Sequence, residues 1–414
     1  MTPMVEAVRR RATCRLCGST ALTLALALEP TPPANAFVDA ADRDTPQARF
    51  PLDIHLCDEC GHAQLLDVLD PQWLFQRHRS ATAEVPGGVE SSDAWADDLI
   101  HRLRPRRGAL VVGIGSNDGT MLRRFDEAGM RPQGIEPAVD LARSAISGGV
   151  PTFPGFFSPG IAQRIEEERG RAELIIAHNI LAHADDLAGV IEGVQQLLAR
   201  DGTLVFDVAY LLDIVEQGLV DAIRHENLDY HTVAPLVRFF HSWDMELVAI
   251  QRLNGRLRGF VRRLGSGQRL DPTVQALSEL EARAGLATVG AFRGLARRLE
   301  ATRRALWSLL QPVRQAGGLI VGLGAPAKST TLLYQLGLGP DVIDFIADDS
   351  AWKQGLCTPG LHIPIRPTEA LYQRPPDAVI VFAWEHAEAM VARHRACLGV
   401  GGRFIVPLPE PRLA

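Results

Sequence analysis

Residues 109–119 read ALVVGIGSNDG, an unbroken apolar run that ends in a turn with glycine at 115 and 119. A short apolar run closed by such a turn predicts a buried strand of a parallel sheet, and the turn feeds a helix over 120–128. Glycine lets backbone approach a ligand closely, and the first helical turn offers free N–H groups. A second strand is expected to end at Gly134-Ile135-Glu136. An acidic residue about 20 positions beyond the glycine turn is placed to accept hydrogen bonds from ribose hydroxyls. Gly115, Asn117, Gly119 and Glu136 are therefore candidates for holding a nucleoside-containing ligand. On these residues alone, a nicotinamide cofactor and S-adenosylmethionine (SAM) stand equal.

The alternation of strand and helix continues. Strands are expected at 174–177 and 203–208, with a helix over 187–199 and a turn at Asp201-Gly202 between them. Beyond the first of these strands comes His178-Asn-Ile-Leu-Ala-His183. Ligands sit past the carboxyl ends of such strands, so Asn179 and His183 belong near the ligand's reactive end. A plain alternative makes His183 a helix-start residue bonded to backbone. The stretch 224–232, RHENLDYHT, crowds two imidazoles, two carboxylates and a phenol together. It reads as a proton-transfer site or as a solvated loop. Residues 247–252 and 256–263, joined at Asn254-Gly255, predict a hairpin. An antiparallel hairpin closing a parallel sheet is typical of SAM methyltransferases rather than of dehydrogenases.

A helical stretch over 274–315 leads into a second α/β unit. Its strands are expected at 318–323, 342–347 and 378–383, and its turn Gly324-Ala-Pro-Ala-Lys328 opens a helix at Ser329. A glycine- and lysine-bearing turn at a helix start suits a phosphate, although the spacing is not that of a Walker A loop. Without a ligand, such a unit would serve packing or dimerisation.

The 414 residues, 46% hydrophobic and 22% charged with a net charge of −6, suit two or three globular domains and exclude global disorder. No apolar run approaches the roughly 18 residues of a spanning helix, and no signal peptide is visible. A cytoplasmic protein with no membrane partner is expected, and the mild acidity argues against nucleic acid. Four of the six cysteines form two knuckles, Cys14-x-x-Cys17 and Cys57-x-x-Cys60. Four thiolates close a tetrahedral zinc shell with no open position, which marks a structural site. Disulfides are disfavoured in a reducing compartment. Cys357 and Cys397 read as ordinary buried thiols.

Together these motifs resemble, in order and over nearly the whole chain, the nucleotide-sugar C-methyltransferases that build branched deoxysugars. The resemblance rests on the four cysteines, on IGSNDG at 114–119, on HNILAH at 178–183 and on the 225–227 segment. GAPAK at 324–328 and the D…KQG…PG…IPI pattern over 348–365 complete it. It implies an α/β chain of three parts: a zinc-binding domain over 1–72, a class I Rossmann-like SAM methyltransferase domain over 73–270, and bridging helices with a C-terminal Rossmann-like nucleotide-sugar domain over 271–414. The implied activity is SAM-dependent methylation, at C3 in preference to C5, of a TDP-linked 4-keto-deoxysugar through an enolate, as in antibiotic deoxysugar biosynthesis. Gly115, Asn117, Gly119, Glu136 and Asn179 would hold SAM. Arg224, Lys328, Ser329 and Lys353 would hold the substrate, and the segment 73–82 would reach the sugar.

Three positions depart from the family pattern. The usual Tyr-His-Glu-His is Arg224-His225-Glu226-Asn227, so asparagine stands where the base is expected. A tyrosine near the sugar is replaced within Arg77-His78-Arg79, and Gly113 stands where a strand usually ends in glutamate. The catalytic candidates are therefore His78, His183 and His225, with Glu226 and Tyr230 as orienters and Asn227 in the altered position. Two other expectations remain within the resemblance: a bifunctional enzyme that also reduces the 4-ketone with NADPH, and a non-catalytic SAM- and nucleotide-binding regulator. A nicotinamide oxidoreductase is the remaining reading.

Overall fold

Leu110–Ile114 is the middle of the five parallel strands in a seven-stranded sheet and is buried along its whole length in the computed structural model, which describes residues 8–76, 80–85, 87–253 and 255–414. A central parallel strand is covered on both faces, which is why it reads as a continuous apolar run. On one side lie Arg131–Glu136 and then Thr152–Pro154. On the other lie Ala172–His178 and then Leu198–Ala209, all parallel. Arg256–Arg263 pairs antiparallel with Leu198–Ala209, and Met245–Leu253 closes that edge antiparallel to Arg256–Arg263. The expected hairpin is thus present; Asn254 lies outside the described residues, and Gly255 turns at φ +81°. The chain leaves the central strand in both directions, so a crevice opens at the carboxyl ends of Leu110–Ile114 and Ala172–His178.

The cysteine-bearing part forms an antiparallel sheet of Leu22–Leu26, Ile54–Cys57 and Ala63–Leu65, and a fourth strand comes from far along the chain. That strand is Asp229–Tyr230, paired as Asp229 with Gln64 and Tyr230 with Ala63. Val38–Asp39 pairs with Leu356–Cys357 of the C-terminal part. The three parts also share one apolar core, in which Leu52 and Ile54 meet Ile223 and Tyr230 and then Leu306, Ile320 and Leu332.

The C-terminal sheet runs Ile365–Arg366, Ile346–Ala347, Ile320–Leu323, Ala378–Val381 and Arg403–Val406 in parallel, with Arg412–Leu413 antiparallel at its edge. Its second strand is shorter than the expected 342–347. The expected single helical stretch is two helices, Pro272–Arg283 and Val289–Gln315, broken where Gly285 adopts φ +68°. The turn expected at Asp201-Gly202 is absorbed into the strand Leu198–Ala209.

One buried carboxylate locks the first of these helices to the middle domain. Glu281 accepts from the Tyr210 hydroxyl at 2.8 Å and from the Val233 N–H at 2.9 Å, the start of helix Val233–His241. Thr232 gives that helix no side-chain cap, so Glu281 supplies the negative end its dipole favours. Burial nevertheless raises the Glu281 pKa from 4.5 to about 7. The native state therefore keeps a proton that the unfolded chain releases, and this group's contribution to stability is lost as pH rises from about 4.5 to about 7. We expect Glu281→Gln to flatten that slope. Urea midpoints of parent and variant should differ by unequal amounts at pH 5 and pH 8; an equal difference would contradict the assignment.

Candidate active site and metal centre

The four cysteine sulfurs converge within 4.8 Å of one another. Cys14 Sγ lies 3.6 Å from Cys60 Sγ, and Cys17 Sγ lies 3.5 Å from Cys57 Sγ. These separations are far beyond the roughly 2.05 Å of a disulfide. They are close to the edge, about 3.8 Å, of a tetrahedron with metal–sulfur bonds of about 2.3 Å. Each knuckle closes in the same way: Gly18 N–H donates to Cys14 O and Gly61 N–H to Cys57 O, with φ of +74° and +75° at the glycines. The thiol set thus fits Zn²⁺. His55 and His62 stand apart from it; His55 Nδ1 bonds Asp53 O, and His62 Nε2 bonds Asp229 Oδ1 at 2.6 Å. One zinc per chain is expected by elemental analysis. Cys57→Ser should lose it and lower the melting temperature, and a metal-free parent of unchanged melting temperature would refute a structural role.

At the crevice lies a cavity of about 1000 Å³ with walls from all three parts. Val68, Leu74 and Phe75 come from the end of the cysteine domain and the helix Pro71–Phe75. The glycine turn, Glu136, the 178–186 segment and Arg224, His225 and Glu226 come from the middle, and Ala327 comes from the C-terminal part. At the glycine turn, Gly115 has φ +70°, and a Cβ there would lie 2.7 Å from Ile180 Cδ1. Asn117 has φ +52°, a conformation asparagine tolerates. Glu136 is oriented from both ends: Asn117 N–H donates to Oε2 at 2.8 Å and Ala138 N–H to Oε1 at 2.9 Å. Its other lone pairs remain for ligand hydroxyls, which suits a nucleoside. Burial raises the Glu136 pKa, and the two N–H donors oppose that rise.

Other cofactor candidates have different work. The Asn117 side chain accepts from Thr82 N–H at 2.8 Å and donates to Ser80 O at 3.1 Å, so it ties the 80–82 segment over the turn. Gly119 starts the helix Thr120–Glu127 and is absent from the cavity wall. Asn179 lines the cavity, but its Oδ1 accepts from Arg256 Nη2 at 2.8 Å. Arg256 and Arg258 both pair with Asp207, and Arg258 also lies 4.4 Å over the Trp95 ring. Asp207, Trp95 and these two arginines escaped the sequence reading. The acid at the end of a strand was the one signal that pointed to them.

The altered catalytic segment is more informative. His183 ends the helix Ile180–His183, stacks on Phe75 with ring centres 5.2 Å apart, and lines the cavity. Its Nε2 lies 3.0 Å from Asn227 Oδ1, while Asn227 Nδ2 donates to Ala222 O at 2.8 Å. A carbonyl can only accept, so the Asn227 amide has its oxygen toward the imidazole. Nε2 then carries the proton and Nδ1 keeps the lone pair. Burial, followed by the nearby Arg224 charge, pushes the His183 pKa down to about 3. Arg224 Nε has no hydrogen-bond partner, and its nearest carboxylate oxygen is Glu226 Oε2 at 3.8 Å. His225 Nε2 bonds Phe50 O at 3.2 Å, and burial holds its pKa below the ordinary range.

Four candidates lie elsewhere. Tyr230 is buried in the shared apolar core rather than in the cavity wall, because neighbours on a strand face opposite sides. Lys328 Nζ pairs with Glu385 at 2.7 Å over the Trp384 ring, and Lys353 Nζ donates to Ala325 O at 3.0 Å beside Asp348. Ser329 is buried with its hydroxyl on Pro326 O. None of these four belongs to the cavity wall. His78, with Arg77 and Arg79, lies outside the described residues.

Comparison with known proteins adds an independent line. A family model described as "C-methyltransferase C-terminal domain" matches residues 253–409, and one described as "Putative zinc binding domain" matches residues 14–75. C-methyltransferase NovU of Streptomyces niveus is 32% identical over 413 residues, covering 99% of this chain and 98% of that protein. Among solved structures, a S-adenosylmethionine-dependent methyltransferase from Clostridium acetobutylicum ATCC 824 is a distant likeness. It shows 10% identity and a TM-score of 0.36 over 44% of this chain and 94% of its own. Magnesium protoporphyrin IX methyltransferase from Synechocystis PCC 6803 aligns with 16% identity and a TM-score of 0.32, over 43% and 83% of the respective chains.

Proposed function

The chain belongs to the C-methyltransferase family, and from that premise we propose that it methylates a TDP-linked 4-keto-deoxysugar at a carbon flanking the ketone, with C3 ahead of C5. Membership sets aside the nicotinamide oxidoreductase reading of the glycine turn. SAM, when bound, supplies an electrophilic methyl group on a sulfonium sulfur. Gly115, the Asn117 backbone and Glu136 would hold its nucleoside, with Asn179 farther along the wall. A cavity of about 1000 Å³ stands at the upper end of ordinary ligand sites, with room for a nucleotide sugar alongside. Lys328 is the C-terminal cation next in sequence to Ala327; its nearer partner Glu385 is 55% exposed, and the buried Asp221 Oδ2 lies 3.8 Å away. Such a half-solvated ion pair is worth little, so a diphosphate beside Ala327 can take the lysine from it.

The reading rests on the His183–Asn227 hydrogen bond. Asparagine cannot remove a proton, but it fixes the imidazole with Nδ1 as acceptor. The α-proton of the ketone passes to His183 Nδ1, and the electron pair it leaves spreads onto the ketone oxygen as an enolate. Arg224, a cation in the cavity wall, would stabilise that oxygen. A neutral imidazole beside a fixed cation is a weak base in isolation, but the cation lowers the acidity barrier on the substrate side. Glu226, also in the cavity wall, would accept from a sugar hydroxyl.

The test uses a TDP-4-keto-6-deoxysugar in D₂O. With SAM, the product should gain one methyl group, and carbon NMR should show which flanking carbon carries it. Without SAM, the acceptor carbon should exchange its proton for deuterium, and His183→Ala should slow this roughly 10²–10⁴-fold. Unchanged exchange in that variant would remove His183 as the base. A pKa of about 3 also keeps His183 unprotonated throughout the neutral range, so the acid limb of kcat/KM should fall below pH 5. A limb near 6.5 would assign the base to a histidine of ordinary pKa.

A further inference from the structure

The residue between the first two cysteines reaches both segments that carry the proposed chemistry. Arg15 has a side chain with no solvent exposure. Its Nε donates to Asp185 Oδ1 at 3.0 Å, and its Nη1 donates to Leu65 O at 2.7 Å and to Gln64 Oε1 at 3.1 Å. Asp229 Oδ2 stands 3.7 Å from the same Nε. Asp185 follows His183 by two positions and lines the cavity; Asp229 follows Asn227 by two positions in the strand paired with Ala63–Leu65. Arg9 and Arg11 also bind Asp185. Arg15, however, is the residue that spans Asp185, Asp229 and the cysteine-domain strand together.

We propose that Arg15 is a positioning residue that holds the His183 and Asn227 segments in register, so that the cysteine knuckle, beyond its part in folding, sets the tautomer of the proposed base. The two anchors lie in different stretches of chain: Asp185 is in the loop just past the helix that ends in His183, and Asp229 is in the strand that follows the Arg224–Asn227 segment. Leu228 N–H donates to Ala182 O at 2.7 Å beside the pair, and Arg15, multiply hydrogen-bonded, braces the far side of both segments around the 3.0 Å bond from His183 to Asn227. Lysine could keep the charge but not the fork of donors. Removing the fork leaves Asp185 to Arg9 and Arg11 and Asp229 to His62, so each carboxylate keeps a partner but the brace between the two segments is lost.

The inference uses the proposed role of His183, but its first readout does not depend on any substrate. In ¹⁵N-histidine-labelled, zinc-loaded protein, His183 should show a protonated Nε2 and a bare Nδ1. Arg15→Lys should keep stoichiometric zinc yet mix the two tautomers, and Asp185→Asn should do the same. Both variants should lower kcat at least tenfold at unchanged KM for SAM, and the double variant should be little worse than either single one. Zinc-loaded variants with the parental His183 spectrum, or with additive losses, would overturn the proposal. Should Arg15→Lys fail to fold, Asp185→Asn decides it by the same spectrum. A tautomer that shifts as expected in a protein without methyl transfer would instead refute the proposed function and leave the positioning role standing.

Discussion

A two-residue ladder, Asp229–Tyr230 against Ala63–Leu65, is the contact on which the cavity depends. It draws the segment with Arg224, His225, Glu226 and Asn227 out of the methyltransferase-like domain and onto the cysteine domain's sheet. Strand pairing alternates the side chains, so Asp229 turns toward His62 and Arg15 while Tyr230 enters the shared core. So short a ladder is worth little alone. It persists because the core beneath it crosses all three parts of the chain. The metal-ligating domain thereby becomes one wall of the cavity rather than an appendage.

The electrostatics of that cavity are asymmetric. Asp207 is matched by Arg256 and Arg258, and Asp185 is matched by arginines of the cysteine domain. Arg224 Nε has its nearest carboxylate oxygen 3.8 Å away, and His183, which feels the Arg224 charge, is held neutral chiefly by burial. That imbalance leaves a cation beside a neutral imidazole. In the proposed reaction, negative charge would appear on the ligand there and a proton on the ring.

Much of this architecture was legible along the chain. The apolar run before the glycine turn, the cysteine spacing and the hairpin signal each depend on neighbours within a few residues, and each recurs in the structure. The surroundings of the lysines of the C-terminal part were not legible, because their partners are distant along the chain. Lys328 and Lys353 sit on turns that resemble phosphate cradles, but Glu385 and Ala325 O, brought near by folding, already occupy them. Glycine 285 likewise breaks what helical periodicity alone joined across 274–315.

By itself, the sequence determined the metal-ligating set, the βα order and the glycine turn with its acidic partner, because short-range periodicity and spacing encode them. Tertiary structure alone decided which imidazole of the cavity wall meets Asn227. His183 and Asn227 are 44 residues apart, Arg15 and Asp185 are 170 apart, and a hydrogen bond across such distances leaves no periodic trace. The asparagine that stands in place of the expected base is, in three dimensions, hydrogen-bonded to another imidazole, that of His183.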